Sequence, residues 1–255
     1  MKKLKVLDLF SGIGGFSLGL ERTGGFETVA FCEMDPAARR VLNRHWPEAP
    51  VFTDIRTLTK EHINETIDVV CGGFPCQDIS VAGTRNGNAG LEGARSGLWF
   101  EYLRIIDTFR PSFALIENVA VLRTRGLDIV LRGLDAIGYD AEWHCIPATY
   151  VGADHQRDRI WLIANPKGFR MERLWAERIQ ESRALAQPFL PNRGGDGQWQ
   201  IEPDLRRSAY GFSTRLDGRV NTWMDRVKQC GNAVVPQIPE LIGRAILAER
   251  CAHAC

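Results

Sequence analysis

Short apolar segments alternate with amphipathic segments along the first two thirds of the chain. The apolar runs are bounded by polar or glycine-containing turns and have the length of buried strands. The predicted strands are Leu4–Leu9, Glu27–Cys32, Val51–Thr53, Ile67–Cys71, Phe113–Glu117, Tyr139–Ile146 and Ile160–Ala164. The predicted helices between them are Phe16–Arg22, Pro36–His45, Leu98–Phe109 and Leu127–Ile137. This alternation predicts a Rossmann-like α/β fold with a doubly wound, mostly parallel sheet.

The alternating pattern stops between residues 165 and 217. This stretch contains four prolines and a Gly-Gly pair, and its clearest periodicity is a helix-like segment at Met171–Leu185. Regular spacing returns afterwards and ends in a predicted helix at Pro239–Glu249. We therefore predict one main body formed by residues 1–164 and 218–255, with residues 165–217 as a small irregular insert.

The composition is that of an ordinary globular protein, with 44% hydrophobic and 25% charged residues in a chain of 255. No apolar run approaches the roughly 18 residues of a membrane span, and the N-terminus lacks the features of a signal peptide. We therefore expect a cytoplasmic protein. Its seven cysteines are odd in number and irregularly spaced, which predicts neither a disulfide framework nor a metal site.

The net charge is only +1, but the charges are unevenly distributed. Residues 1–164 carry 18 Lys and Arg against 21 Asp and Glu, whereas residues 165–220 carry 10 against 7. A basic segment on a mildly acidic body fits a surface that meets phosphate groups. A solvated helix face, on which Glu172, Glu177 and Glu181 offset the arginines, explains the same counts. Charge alone leaves both interpretations open.

A glycine-rich turn follows the first predicted strand, and acidic residues end the next two. Gly12 and Gly14 lie in the turn DLFSGIGG, where glycine lets the backbone approach a ligand closely. The dinucleotide fingerprint GxGxxG fails because Ser17 stands at its third glycine, which argues against a nicotinamide-dependent oxidoreductase. Glu33 is placed to accept ribose hydroxyls and Asp54 an adenine amino group, since ligands bind at the carboxyl ends of such strands. An acid there often only caps a helix, so each residue alone is a weak indication of an adenosine-containing ligand.

Cys76 lies in the loop GGFPCQDIS, directly after the fourth predicted strand. A lone cysteine is more often an inert buried thiol than a nucleophile, but this one is expected at the open edge of the sheet. Glu117 ends the next predicted strand, and Arg157 and Arg159 precede the last strand of the body. The sequence therefore predicts a thiol, a carboxyl group and two guanidinium groups at neighbouring strand ends.

These groups can serve one reaction on a cytosine ring, whose carbon 5 is a poor nucleophile. Attack of a thiolate at carbon 6, with an acid hydrogen-bonded at nitrogen 3, produces an enamine that accepts a methyl group. The alternative for Arg157 and Arg159 is surface ion pairing with Asp154 and Asp158, which is common in proteins.

An ordered set of motifs runs through nearly the whole chain. It consists of DLFSGIGGF (8–16), Glu33, Asp54, GGFPCQDIS (72–80), ENV (117–119), HQRDR (155–159) and GNAVVPQIPELIG (231–243). This set resembles the DNA cytosine 5-methyltransferase family in both content and order. Two features depart from the family. His155 stands where many members carry Gln, and the segment that corresponds to the target-recognition domain, residues 165–217, is at the short end.

The resemblance implies a role for each matched position. Cys76 would be the nucleophile, Glu117 the acid at nitrogen 3, and Arg157 and Arg159 would hold the flipped base and support the cysteine loop. The residues implied to line the S-adenosylmethionine pocket are Phe10, Gly12, Gly14, Glu33, Met34, Asp54, Ile55, Pro75, Asn232 and Val234. The residues implied to contact the substrate are Gln77, Ser80, Asn118 and His155.

The resemblance implies an enzyme that flips a cytosine out of a specific duplex DNA site and methylates its carbon 5. Residues 1–164 and 218–255 would form the catalytic, cofactor-binding domain and residues 165–217 the target-recognition region. Double-stranded DNA is the expected partner, a cognate restriction endonuclease a further one, and a monomer the expected state. Two alternatives stay open, a methyltransferase acting on tRNA cytosine and a catalytically silent DNA-binding relative. The intact Cys76 and Glu117 argue against the second.

Overall fold

The computed structural model describes residues 2–75, 97–151, 157–168 and 233–253. Seven strands in these residues form one sheet. In chain order they are β1 (Leu4–Leu9), β2 (Phe26–Cys32), β3 (Val51–Phe52), β4 (Val69–Gly72), β5 (Phe113–Val119), β6 (Tyr139–Pro147) and β7 (Asp158–Pro166). Their order across the sheet is β3-β2-β1-β4-β5-β7-β6. The chain therefore starts in the middle of the sheet, builds outward to β3 and then continues on the other side of β1.

Five of the strands run in the same direction. β1 pairs in parallel with β2 and β4, β2 with β3, and β4 with β5, whereas β7 runs antiparallel between β5 and β6. The strand order reverses at β1 and β4, which is where open α/β sheets leave a crevice for ligands. The predicted doubly wound, mostly parallel sheet is confirmed.

Five α-helices in the described residues connect the strands or cover the sheet. They are α1 (Gly15–Arg22), α2 (Pro36–His45), α3 (Leu98–Phe109), α4 (Leu127–Ala136) and α5 (Gln237–His253). The bounds of α2 and α3 are those expected from the sequence. α2 begins at Pro36 because Asp35 accepts a hydrogen bond from the Ala37 amide at 2.8 Å and proline suits the first helical turn.

Several strand ends differ from the predicted ones by one or two residues. β4 spans Val69–Gly72 instead of Ile67–Cys71, while β5 continues to Val119 and β7 begins two residues early, at Asp158. The antiparallel ladder explains the longer β5 and β7, because it pairs Val119 with Arg159. Arg159 thus lies within a strand rather than before it. Hydrophobic pattern misses such ends, since backbone pairing also includes polar residues.

Alternate residues of the central strands face two hydrophobic layers. Leu7 and Leu9 of β1 face α3, α4 and the segment after β3, whereas Leu4 and Val6 face α1 and α5. Both faces of the parallel strands are therefore covered, as expected for a sheet of this kind.

The last helix packs very closely on the first. A Cβ at Gly15 would lie 2.6 Å from the Val234 carbonyl oxygen, and one at Gly19 would lie 2.1 Å from the Pro236 oxygen. Only glycine permits this approach at the two positions. The contact brings Val234 beside the start of α1.

The predicted insert lies almost entirely outside the described residues. Residues 165–168 finish β7 and form a turn, whereas the predicted helix Met171–Leu185 and the division into two domains stay predictions. Among the described helices, none combines the length and the apolar character that crossing a membrane requires. No group of three or more metal-ligating side chains occurs in the described ranges.

Asp8 is a fully buried carboxyl group within β1, the central strand. The Ser17 hydroxyl of α1 donates a hydrogen bond to its Oδ2 at 2.7 Å. Burial raises the pKa of Asp8 to about 7, and the hydrogen bonds from Ser17 offset part of that rise. Folding therefore favours the protonated form of this side chain.

We predict that Asp8 makes the protein less stable as the pH rises from about 4 to about 7. The folded chain keeps a proton that the unfolded chain loses, so the free energy of unfolding falls by up to about 1.4 kcal/mol per pH unit. Asp8→Asn should flatten this dependence in urea unfolding curves recorded across the pH range. Ser17→Ala is the control. It keeps the carboxyl group, so the decline should persist and extend to higher pH. An unchanged slope in Asp8→Asn would contradict the prediction.

Candidate active site

The predicted cofactor residues lie at the carboxyl edge of β1, β2 and β3. Phe10, Glu33 and Asp54 each follow the end of one of these strands within two residues. Because the three strands are parallel neighbours, their carboxyl ends open on the same side of the sheet. Residues that are more than 40 positions apart in the chain thereby lie along one edge of the sheet.

The turn after β1 has left-handed backbone at three positions. The φ angles are 51° at Phe10, 54° at Gly12 and 86° at Gly14, which is the residue before α1. Phe10 holds this conformation without being glycine, and such strain clusters at ligand sites. A Cβ at Gly12 would meet no described atom within 4 Å. Nothing in the described part of the chain therefore covers the backbone there.

Glu33 is bound to the glycine-rich turn directly. Its Oε2 accepts a hydrogen bond from the Gly12 amide at 2.7 Å, and its Oε1 accepts one from the Asp35 amide at 2.7 Å. Each carboxylate oxygen can accept a second hydrogen bond, so the group can still receive two hydroxyl donors. The neighbouring Met34 side chain is 59% exposed, which leaves an apolar surface at the same edge.

Asp54 caps the 3-10 turn Ile55–Thr57. Its Oδ1 accepts a hydrogen bond from the Arg56 amide at 3.0 Å. The capping interpretation of this residue is therefore observed, although its carboxylate retains further lone pairs for a ligand. The Ile55 side chain is packed in the core, and its contact with a cofactor stays a prediction.

Glu117 near the end of β5 forms an ion pair with Arg159 at the start of β7. Arg159 Nε lies 2.9 Å from Glu117 Oε1, and Arg159 Nη1 donates to the Asp158 carbonyl oxygen at 2.9 Å. Arg159 thus pairs with a buried carboxylate. Arg157 lies close enough to influence the Glu117 carboxyl group electrostatically. Asp154 is outside the described residues.

Burial and charge act on the Glu117 carboxyl group in opposite directions. Burial raises the pKa of Glu117, and the positive charges of Arg159 and Arg157 offset part of that rise. The pKa of Arg157 is lowered by its own burial and by the nearby Arg159. The result is a carboxyl group that keeps its proton to higher pH than an exposed glutamate does.

The chain that leads to Cys76 passes directly over Glu117. A Cβ at Gly73 would lie 2.7 Å from Glu117 Oε2, so any larger residue there would displace the Glu117 carboxyl group. The buried Asn118 Nδ2 donates a hydrogen bond to the Phe74 carbonyl oxygen at 3.1 Å, and Asn118 Oδ1 accepts one from the Val119 amide at 2.8 Å. The structure thus gives Asn118 a positioning contact that the sequence did not reveal. Its contact with substrate stays a prediction.

An aromatic series joins the two halves of the site through α3. The ring centroids of Phe10 and Tyr102 are 6.3 Å apart, those of Tyr102 and Trp99 6.0 Å, and those of Trp99 and Phe74 5.4 Å. Sequence reasoning missed this series, although the spacing of Trp99 and Tyr102 on one helical face was visible. The glycine-rich turn and the start of the cysteine segment therefore pack on the same helix.

Several predicted site residues lie outside the described residues. These are Cys76, Gln77, Ser80, His155 and Asn232. Pro75 is the last described residue before the cysteine, which places the start of this segment at the carboxyl end of β4.

Comparison with known proteins identifies a matching family model and similar sequences. The model of the family described as C-5 cytosine-specific DNA methylase matches residues 4–198. The Type II methyltransferase M.CviJI of Paramecium bursaria Chlorella virus IL3A is 37% identical over 172 residues, which are 67% of this chain and 45% of that protein. The Type II methyltransferase M.Sau3AI of Staphylococcus aureus is 31% identical over 198 residues, 71% of this chain and 47% of that protein. The chain thus spans about half the length of these relatives.

Solved structures resemble this one in fold. A protein described as a DNA modification methyltransferase encoded within a prophage (E. coli) has a TM-score of 0.55 and 26% identity, covering 67% of this chain and 49% of its own. The structure of a Spodoptera frugiperda DNMT2 variant has a TM-score of 0.55 and 22% identity, covering 67% and 54%. The second similarity concerns the fold alone.

We predict that Asn118→Ala lowers the free energy of unfolding by about 1–3 kcal/mol, because the Phe74 carbonyl group loses its buried donor. Amide hydrogens of residues 72–74 should then exchange faster, as measured by mass spectrometry. Asn165→Ala is the matched control. Asn165 is also buried, but its amide donates to the adjacent Pro166 carbonyl group. Unchanged exchange at 72–74 in Asn118→Ala would contradict the positioning contact.

Proposed function

Because this chain belongs to the C-5 cytosine-specific DNA methylase family, we propose that it methylates carbon 5 of cytosine at a specific site in duplex DNA. The observation that carries the proposal is the buried Glu117, held by Arg159 under the backbone that leads to Cys76. An acid and a cysteine segment in this juxtaposition suit attack on a cytosine ring.

The residues at the edge of β1 to β3 fit S-adenosylmethionine as the methyl donor. Support comes from the open space at Gly12, the Glu33 carboxylate joined to that turn, and the exposed Met34. Glu33 would accept the ribose hydroxyls, Asp54 the adenine amino group, and the turn at Phe10 and Gly12 would contact the methionine part. When bound, S-adenosylmethionine supplies an electrophilic methyl group on its sulfonium.

Cys76 and Glu117 would act on two different atoms of the cytosine ring, Cys76 as the nucleophile at carbon 6 and Glu117 as the proton donor at nitrogen 3. The Cys76 thiolate forms a bond to carbon 6 while the protonated Glu117 donates to nitrogen 3. Carbon 5 then has the electron density to take the methyl group. A base such as water then takes the carbon 5 proton, the thiolate departs from carbon 6, and nitrogen 3 returns its proton to Glu117. These steps restore the aromatic ring, and S-adenosylhomocysteine is the other product. The raised pKa of Glu117 supports this role, because a higher pKa favours the protonated form that donates to nitrogen 3.

Arg159 and Arg157 would hold the site rather than transfer protons. A guanidinium group stays charged, and its planar donors bind the carboxyl group and a flipped base in fixed orientations. The ion pair to Glu117 at 2.9 Å supports this assignment for Arg159. The target base must leave the duplex to reach a buried acid, at a cost of a few kcal/mol.

Duplex DNA is the proposed substrate, with target recognition by the basic segment 165–217. The family and the two Type II methyltransferases among the relatives support DNA over tRNA. A cognate restriction endonuclease is proposed on the same ground. Because the chain covers about half of those relatives, its substrate, partners and monomeric state are proposals.

The direct test is bisulfite sequencing of DNA from cells that express the gene. We expect protected cytosines in one short sequence context, and duplexes with that sequence should then accept labelled methyl groups from S-adenosylmethionine in vitro. Methyl transfer to tRNA and to no duplex DNA would establish the tRNA alternative instead. Absence of transfer to either, with retained DNA binding, would establish the silent relative.

We predict that Cys76→Ser abolishes the covalent complex with duplex DNA that contains fluorocytosine. The fluorine cannot leave as a proton does, so the Cys76 bond to carbon 6 persists and shifts the protein in denaturing gels. Cys251→Ser is the control, because that cysteine is exposed near the end of α5. An adduct that survives in Cys76→Ser would remove Cys76 from its proposed role.

We predict that Glu117→Gln lowers the methylation rate by about 10²-fold or more, because glutamine cannot transfer a proton to nitrogen 3. In the unmodified enzyme the rate should fall as pH rises through the elevated pKa of Glu117. In Glu117→Gln this decline should be absent. Rates measured across a pH series under saturating cofactor test both statements, and an identical pH profile in the two proteins would contradict the acid role.

A further inference from the structure

Asp54 stands on the most weakly held edge of the sheet. β3 has only two residues, and its sole ladder pairs Phe31 with Val51 and Cys32 with Phe52. β3 is also the outermost strand, so no strand in the described residues pairs with its other side. Backbone pairing alone therefore constrains Asp54 and the turn after it poorly.

Arg104 of α3 binds this turn from outside the sheet. Its Nη2 donates to the Ile55 carbonyl oxygen at 2.7 Å and its Nη1 to the Leu58 carbonyl oxygen at 3.0 Å. These two carbonyl groups lie at the start and just after the end of the 3-10 turn that Asp54 caps. A guanidinium group presents its donors in a rigid plane, so it fixes both ends of the turn at once.

Glu101 orients the Arg104 side chain on its own helix. Arg104 Nε donates to Glu101 Oε2 at 2.8 Å, which leaves the two Nη groups directed at the turn. Below the turn, Ile55 and Leu58 are buried in the core at 4% and 1% exposure. The turn is thus held by apolar packing from one side and by the Arg104 guanidinium group at its carbonyl oxygens.

The same helix contacts the other end of the proposed cofactor pocket. Tyr102, two residues before Arg104, stacks with Phe10 of the glycine-rich turn. α3 therefore carries contacts to the turn after β1 and to the turn after β3. The distance between those two turns must match the length of the bound ligand.

We propose that Arg104 is a positioning residue for the adenosine part of the cofactor. It holds the turn that carries Asp54 in the position where the Asp54 carboxylate can accept a hydrogen bond from the adenine amino group. Arg104 itself does not touch the ligand. This inference rests on the proposed function, because it takes the pocket at Asp54 to be the site of S-adenosylmethionine. A residue with only a structural role would lower stability and leave ligand affinity unchanged below the unfolding temperature.

Titration calorimetry with S-adenosylhomocysteine, well below the unfolding temperature, tests the proposal. Arg104→Lys keeps the charge but cannot reach both carbonyl groups in one plane, so we expect the Kd to rise about tenfold. Glu101→Ala removes the acceptor of the Arg104 Nε hydrogen bond but keeps the guanidinium group, so we expect a smaller rise in the Kd. If Arg104→Lys fails to fold, Glu101→Ala decides the question.

Arg110→Lys, at the residue that directly follows α3, is the matched control. Arg110 also binds a backbone carbonyl group, that of Ile137 at 2.6 Å, and an acid three residues earlier, Asp107 at 3.2 Å. It lies at the far end of α3, beside the start of β5. We expect its replacement to change stability and not the Kd. An equal rise in Kd for Arg110→Lys and Arg104→Lys would overturn the proposal, as would an unchanged Kd in Arg104→Lys.

A double-mutant cycle with Asp54→Asn tests whether Arg104 acts through Asp54. If it does, the effect of Arg104→Lys should shrink to less than about threefold in the Asp54→Asn background, because the contact to be positioned is already weakened. Additive effects would overturn the proposal. If the unmodified protein does not bind S-adenosylhomocysteine, the proposed function itself fails, which is a separate outcome from the loss of coupling.

Discussion

The parallel pairing of β1 with β2 and β4 is the constraint on which the site depends. Parallel strands bring their carboxyl ends to one edge of the sheet, so the glycine-rich turn, Glu33 and the start of the cysteine segment meet there. β7 reaches the same edge by its opposite end, because it runs antiparallel to β5. Its first residues include Arg159, and this reversal is why an arginine early in one strand faces Glu117 late in another.

Close approach of backbone segments determines where the segment that leads to Cys76 lies. Gly72 ends β4 with a φ of 152°, and a Cβ there would lie 2.0 Å from the Leu9 carbonyl oxygen. Gly73 passes over the Glu117 carboxylate in the same manner. The segment that leads to Cys76 can therefore lie against both neighbouring strands. Asn118 and the aromatic residues of α3 then hold its first residues by a hydrogen bond and ring packing.

Two buried carboxyl groups show how one physical effect can have different consequences. Burial raises the pKa of both Asp8 and Glu117. Asp8 is enclosed between β1 and α1 and has a neutral donor in Ser17, so its raised pKa affects stability. Glu117 lies near the carboxyl end of β5 beside two arginines, where the proposed function places the target base. Position at the sheet edge, and not burial by itself, separates a structural acid from a candidate catalytic one.

The sequence by itself determined the elements of the described fold, and it predicted which residues form the site. Hydrophobic spacing located α2 and α3 to the residue, since Asp35 with Pro36 and the apolar face of α3 are local signals. Only the tertiary structure decided that Glu117 pairs with Arg159 and that Asn118 donates to the Phe74 carbonyl group. The same holds for Arg104, which binds carbonyl groups of a turn 46 to 49 residues away. Such contacts depend on strand register and helix placement, which follow from the packing of the whole chain. No local pattern of residues encodes them, because the partners become neighbours only after the sheet has formed.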